Sequence, residues 1–173
     1  MVHIYTGDGK GKTTAALGLS FRAAGRGLRV AFLEFLKDGN SGEVLLAKSV
    51  PNMNIRCFQT TVNNGFFWNM TEPEREVLKA ETQAGFAFAA NCAANRLCDM
   101  LVLDEIAGCI ANGILSENDV LALLKNYGKT LEIVLTGRDF SQEMCLAADY
   151  VSEIQAVKHP FDTGTAPREG IEF

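Results

Sequence analysis

Long apolar runs, metal-spaced cysteines and basic clusters are all missing from this sequence. Thr82–Asn95 runs 14 residues without a charge yet holds Gln83, Asn91 and Asn95, too short and too polar to span a bilayer. No charged-then-apolar segment precedes the first strand-like run, so no membrane is expected and the cytoplasm is the expected location. Five cysteines (57, 92, 98, 109 and 145) and two histidines show no CxxC or HxxxC spacing, which argues against a zinc site or a disulfide framework. Four of the cysteines lie in apolar stretches, where a reduced thiol behaves as a small hydrophobe. The 16 Lys and Arg are scattered with few aromatics among them, so no nucleic-acid partner is expected.

What is present fits a globular protein. At 173 residues, 47% hydrophobic and 21% charged, the chain is neither disordered nor too small for a core, and residues 1–173 read as a single domain. The net charge of −5 is uneven. Residues 1–48 carry seven Lys/Arg against four Asp/Glu, and the remainder nine against 17. The positive end coincides with a glycine-rich loop, as an anionic ligand requires.

Val2–Tyr5, Arg29–Phe35, Ile55–Phe58, Met100–Leu103, Leu131–Leu135 and Tyr150–Ile154 read as strands. Between them the pattern predicts helices over Lys12–Ala24, in a short piece after Lys37–Gly42, from Thr71 to about Arg96, over Asn118–Lys125, and after Asp139. Thr71-x-x-Glu74 with Pro73, Ser116-x-x-Asp119 and Asp139-x-x-Gln142 are the expected caps. Thr60–Met70 reads as a loop carrying Phe66, Phe67 and Trp68. Strands alternating with helices predict an α/β fold, a mainly parallel sheet with helices on both faces. Ligands of such sheets bind at the carboxyl ends of the strands, where Thr6–Thr14, Asp104-Glu105 and Thr136–Arg138 all fall.

Gly7-Asp8-Gly9-Lys10-Gly11-Lys12-Thr13-Thr14 links the first strand to the first helix. Its glycines let successive N–H groups curl toward phosphate oxygens, and the helix amino terminus adds positive potential. Lys12 supplies a full charge and the Thr13 hydroxyl a ligand for Mg2+. This is a Walker A loop with Thr6 in place of its first glycine. Asp104-Glu105, after four apolar residues, reads as the Walker B end, Glu105 ahead of Asp104 as the carboxylate that holds the metal. Arg138 at a strand end is a candidate phosphate contact.

Several segments together carry a resemblance: TGDGKGKTT at Thr6–Thr14, continuing to Arg22; Glu34-Phe35-Leu36-Lys37; Gly65-Phe66-Phe67-Trp68; Leu101–Glu105; Leu135–Arg138; and Val157-Lys158-His159-Pro160-Phe161-Asp162 leading to Gly170–Phe173. The whole chain resembles the P-loop cob(I)alamin adenosyltransferases. That resemblance implies a RecA-like nucleotide-binding fold and transfer of the 5′-deoxyadenosyl group of ATP to a reduced cobalamin or cobinamide, with release of triphosphate. It implies triphosphate along Gly7–Thr13, Mg2+ on Thr13 and Glu105, and Phe66 and Trp68 beneath the corrin ring, where they exclude the lower nitrogen ligand. It further implies an electron donor such as a flavoprotein, and allows a homodimer. Phe67 is expected in the core. Arg22, Lys158, His159 and Asp162 are weaker site candidates, since a solvated helix face or a turn accounts for each equally well. The competing expectations are a P-loop kinase or ATPase acting at the γ-phosphate, with Glu105 and Arg138 as its machinery, and a non-catalytic ATP-dependent corrinoid-binding module.

Overall fold

The computed structural model describes residues 1–37, 39–47, 49–59 and 67–171, without the side chains of residues 161 and 162. Strands β1 (Val2–Thr6), β2 (Val30–Glu34), β3 (Met53–Cys57), β4 (Met100–Asp104), β5 (Glu132–Thr136) and β6 (Tyr150–Glu153) form one parallel sheet in the order β3-β2-β4-β5-β1-β6. The helices are α1 (Lys12–Gly25), α2 (Gly42–Ala47), α3 (Glu72–Ala94), α4 (Ile106–Ala111), α5 (Glu117–Tyr127) and α6 (Gln142–Ala147).

Side-chain alternation along the strands divides the core in two. Val30, Phe32, Met100, Val102 and Val134 face Ala16, Ala23 and Ala24 of α1, whose small side chains let that helix lie close to the sheet. Ala31, Leu33, Leu101, Leu103, Ile133 and Leu135 turn to the opposite face. There they meet Leu78 and Ala89 of α3, Ile106 of α4, Val120 and Leu124 of α5, and Met144 of α6. Both faces of the central strands are therefore covered, which is why β2 and β4 read as unbroken apolar runs. The expected α/β architecture, with helices on both faces, is the one observed.

Three local expectations need correction. Ser116 stands at the start of α5 without the expected side-chain cap hydrogen bond. Helix α4 has no counterpart in the sequence reading, because Ile106–Ala111 is six residues long and enters from Glu105 in a left-handed conformation (φ 62°) with no side-chain cap. Tertiary packing stabilises it instead, with Ile106, Ala107 and Cys109 buried. The start of α6 is also different. Ser141, not Asp139, accepts the Met144 N–H at 3.1 Å, while Asp139 takes a left-handed turn at φ 55°. Ser141 Oγ also donates to Glu117 Oε1 at 2.6 Å, tying the starts of α5 and α6 together. The Thr71–Glu74 pairing is present: the Glu74 carboxylate accepts from the Thr71 backbone N–H at 2.7 Å and from its hydroxyl at 2.8 Å. All five cysteines are free, with Cys92, Cys98 and Cys109 buried.

Candidate active site

The Walker A and Walker B strands, β1 and β4, are not neighbours, because β5 lies between them. Their ends are joined by Thr136, the last residue of β5. Its hydroxyl donates to Asp104 Oδ1 at 2.7 Å and accepts the Glu105 backbone N–H at 2.9 Å. Thr136 and Asp104 are both fully buried. Across the same gap Thr13 Oγ1 approaches the two Asp104 oxygens at 3.0 and 3.2 Å. Lys37, three residues beyond β2, donates to Asp104 Oδ2 at 2.7 Å. With two hydroxyls and an ammonium on it, the Asp104 carboxylate organises its neighbours.

Helix α1 begins without a side-chain cap and without an acidic residue in its first turn. Its first N–H groups point into the Gly7–Gly11 loop, the arrangement that attracts an anion. Gly7 and Gly11 have φ of 97° and 122°, values open to glycine. Gly9 is required for a different reason. Its N–H donates to Ile154 O at 2.7 Å, and a Cβ there would come within 2.7 Å of that same oxygen and of the Gln155 carbonyl carbon. Asp8 completes this latch by accepting the Ala156 N–H at 3.0 Å, which holds its carboxyl below the ordinary range. Lys12 Nζ folds back on Gly7 O at 2.6 Å and Gly9 O at 2.9 Å. Burial, and then the Arg138 charge, lower the Lys12 pKa.

Two cavities open here. One, of about 470 Å³, is walled by Asp8–Thr14, Glu43, Arg138 and His159. The other, of about 510 Å³, is more apolar, with Leu36, Phe67, Trp68, Met70 and Leu78 facing Glu105. Lys12, Lys37 and Arg138 line both. Glu105 is driven above its usual pKa by burial first and by Asp104 second, against the pull of Lys12, Lys37 and Arg138. Gly108 leaves room for it, because a Cβ there would come within 3.1 Å of Glu105 Oε1 and 2.8 Å of Leu36 Cδ1.

The family model for the ATP:corrinoid adenosyltransferase BtuR/CobO/CobP matches residues 1–173. A corrinoid adenosyltransferase of Pseudomonas aeruginosa is 33% identical over 171 residues, covering 98% of this chain and 82% of its own. The corrinoid adenosyltransferase CobA of Salmonella typhimurium is 32% identical, covering 100% and 85%. An Escherichia coli (strain K12) corrinoid adenosyltransferase is 30% identical with the same coverage. The chain belongs to the ATP:corrinoid adenosyltransferase family.

For a member of this family, the sequence-selected residues converge well at the loop and poorly elsewhere. Gly7 to Thr14, Asp104, Glu105 and Arg138 meet at the carboxyl ends of β1, β4 and β5. Trp68 is 65% exposed yet lines the apolar cavity. Phe67 packs on the core as expected, but it also lines that cavity and lies under Arg75, whose guanidinium is 5.1 Å from the ring centre. Phe66 lies outside the described residues, as does the Asp162 side chain. His159 borders the phosphate-loop cavity and a small pocket shared with Lys10, Pro160 and Ala166–Arg168. Arg22 and Lys158 are exposed and line neither large cavity. For Arg22 the reason is its place in the last turn of α1, far along the helix from the loop. Sequence reasoning gave no site role to Lys37, Glu34 or Glu43, and set Thr136 at the ligand-binding edge without a role of its own. Lys37 and Thr136 follow or end strands at the ligand-binding edge, and that position was the available signal.

Proposed function

We propose that residues 1–173 act as one domain that transfers the 5′-deoxyadenosyl group of ATP to the cobalt of a reduced corrinoid and releases triphosphate. The observation that carries this reading is the junction of two cavities of different character. A glycine-walled, cation-lined cavity suits triphosphate, and an apolar one with Phe67 and Trp68 suits the flat face of a corrinoid. The two share Lys12, Lys37 and Arg138. Gly7, Asp8, Gly9, Lys10, Gly11, Lys12, Thr13, Thr14 and Arg138 form the ATP site in this reading, and Phe66 and Trp68 the corrinoid contact. His159, Lys158 and Asp162 are assigned to the tail beside the loop.

Mg2+ suits the donors present. Among the described residues no three His, Cys, Asp or Glu side chains cluster as a metal cage, and Mg2+ on a nucleotide takes only one or two carboxylates, with phosphate and water completing its shell. Thr13 and Glu105 would hold it, with Asp104 behind them. Bound there, Mg2+ neutralises triphosphate charge. The protein has little covalent work to do, because cobalt in its +1 state is itself a strong nucleophile. The loop N–H groups and Lys12 hold the triphosphate so that C5′ points toward the apolar cavity. Leu36, Phe67, Met70 and Leu78 keep water from the reduced metal.

No helix among the described residues is long and apolar enough to cross a membrane. A cytoplasmic location, a flavoprotein electron donor and a homodimer complete the proposal, the last two resting on the family resemblance alone. The test is product identity. Incubation with ATP, Mg2+ and chemically reduced cobalamin should yield adenosylcobalamin and inorganic triphosphate. ADP as the product would establish a kinase or ATPase instead, and binding without turnover under excess substrate would establish a binding module.

A further inference from the structure

Lys37 is the most heavily surrounded cation in the described molecule, and neither the loop motif nor the metal motif includes it. Its ammonium is 2.7 Å from Asp104 Oδ2, 3.6 Å from Glu34 Oε1 and 3.7 Å from Glu43 Oε1. Burial works against its charge, but Asp104 and then Glu34 outweigh that and raise its pKa. Glu34 is completely buried, and among the described residues neither of its oxygens meets a donor in hydrogen-bond geometry, although the Glu43 carboxyl lies against it and would share its proton. Desolvation lifts Glu34 to about 7, with Lys37 the chief opposing charge. A buried carboxylate is costly to a fold, so its presence behind Lys37 needs a reason. The backbone adds a second unusual feature, because Leu36 sits in the left-handed region at φ 56°, strained for a bulky residue. That turn redirects the chain at the end of β2 and delivers Lys37 to Asp104.

The location supplies the reason. Lys37 lines both cavities, so it stands where the two substrates must meet. Of the other cations there, Lys12 spends two donors on loop carbonyls and Arg138 is exposed. Among the described residues the Lys37 ammonium makes one hydrogen bond, to Asp104, and its contacts with Glu34 and Glu43 are longer-range charge pairs.

We propose that Lys37 is a further catalytic residue of the transfer, its ammonium fixed at the cavity junction to stabilise the triphosphate oxygen that departs from C5′. This rests on the reading that triphosphate occupies the Gly7–Thr14 loop. In the step, the cobalt(I) electron pair forms the Co–C5′ bond and the C5′–O5′ bond breaks. Its electron pair leaves on O5′, which becomes a terminal oxygen of inorganic triphosphate, and cobalt becomes formally +3. The new charge appears on the phosphate nearest the junction, where a preorganised cation is most effective.

The test uses the full chain with ATP, Mg2+ and chemically prepared cob(I)alamin. Lys37→Met should lower kcat and kcat/KM together by roughly 100-fold, the usual loss on removing one preorganised transition-state donor. ATP affinity by calorimetry should be largely kept, and Lys37→Arg should recover part of kcat. If Lys37→Met fails to fold because Glu34 and Asp104 lose their counter-charge, Glu34→Gln/Lys37→Met removes a buried acid with the base and takes its place. An unchanged kcat, or a loss confined to KM and matched by weaker ATP binding, would overturn the assignment. Lys12→Ala is run alongside. If it still binds ATP normally, the phosphate-loop reading itself fails. If it loses ATP while Lys37→Met keeps its kcat, only the role of Lys37 fails.

Discussion

Thr136→Val removes one hydroxyl while keeping nearly the same volume, and the structure puts a magnitude on that loss. The hydroxyl donates to fully buried Asp104 at 2.7 Å and accepts from the partly buried Glu105 N–H at 2.9 Å. A hydrogen bond to a charged group contributes about 1.5–3 kcal/mol, and a buried N–H left without an acceptor costs about 1–3 kcal/mol. Asp104 keeps Thr13 and Lys37, so the combined effect should lie near the lower end, at about 3 kcal/mol. For a chain of this length that corresponds to a fall in Tm of roughly 6–12 °C. Thr136→Ser keeps the hydroxyl and loses one methyl, about 0.8 kcal/mol. Calorimetric melting of the three proteins at pH 7 measures the difference. The valine variant should also need more Mg2+ for turnover, because Glu105 loses its backbone tether. If the valine and serine variants melt within about 2 °C of each other, the stitch across β5 is not what holds the Walker B end.

Other consequences are open to direct measurement. Glu105→Gln should lower turnover and raise the Mg2+ requirement, read from kcat against metal concentration, while Asp104→Asn should chiefly lower Tm because Asp104 is the buried hub. The reverse pattern would exchange their roles. Trp68→Ala should impair reaction from cobalt(II) corrinoid with a flavin reductant far more than reaction from prepared cobalt(I), leaving ATP affinity unchanged. Equal losses from both cobalt states would make Trp68 a packing residue. The Arg29 guanidinium and backbone N–H hold Asp99 down to about 2. Its folded pKa lies below the unfolded one, so its contribution to stability is complete above about pH 4 and is lost as pH falls toward 2. Urea midpoints of parent and Asp99→Asn should therefore differ slightly at pH 7, given the exposed setting of the pair. They should converge only as pH falls to about 2 and below, and a gap that widens with acid would contradict the pairing.

Much of the site was legible because its parts are local. The Gly7–Thr14 loop lies between an apolar run and an alanine-rich helix, and the Asp104-Glu105 pair ends an unbroken apolar strand. Both patterns fit within about a dozen residues. Lys37 was not legible as a site residue, because its partner Asp104 is 67 positions away. Asp8 was legible as a residue of the phosphate loop, but the hold of its carboxylate on the Ala156 N–H, 148 positions on, was not. The Asp139 cap failed because Asp139 and Ser141 are both capping residue types two positions apart, and only the folded backbone, with Asp139 left-handed and Ser141 accepting the Met144 N–H, distinguishes them.

By itself the sequence determined the strands, the long helices, the parallel arrangement and the anion loop. Each depends on side-chain periodicity, capping and glycine conformation acting over one or two turns of chain. Tertiary structure alone decided the strand order that places β5 between the two Walker strands, and with it the role of Thr136. It also decided that a six-residue helix with no signal of its own forms over Ile106–Ala111, since burial against the sheet supplies the stability its length cannot. The cage around Lys37 belongs to the same class. Charges from β2, α2 and β4 act on one ammonium only once the sheet has brought them within 4 Å, and Coulomb interactions depend on distance in space, not on separation along the chain.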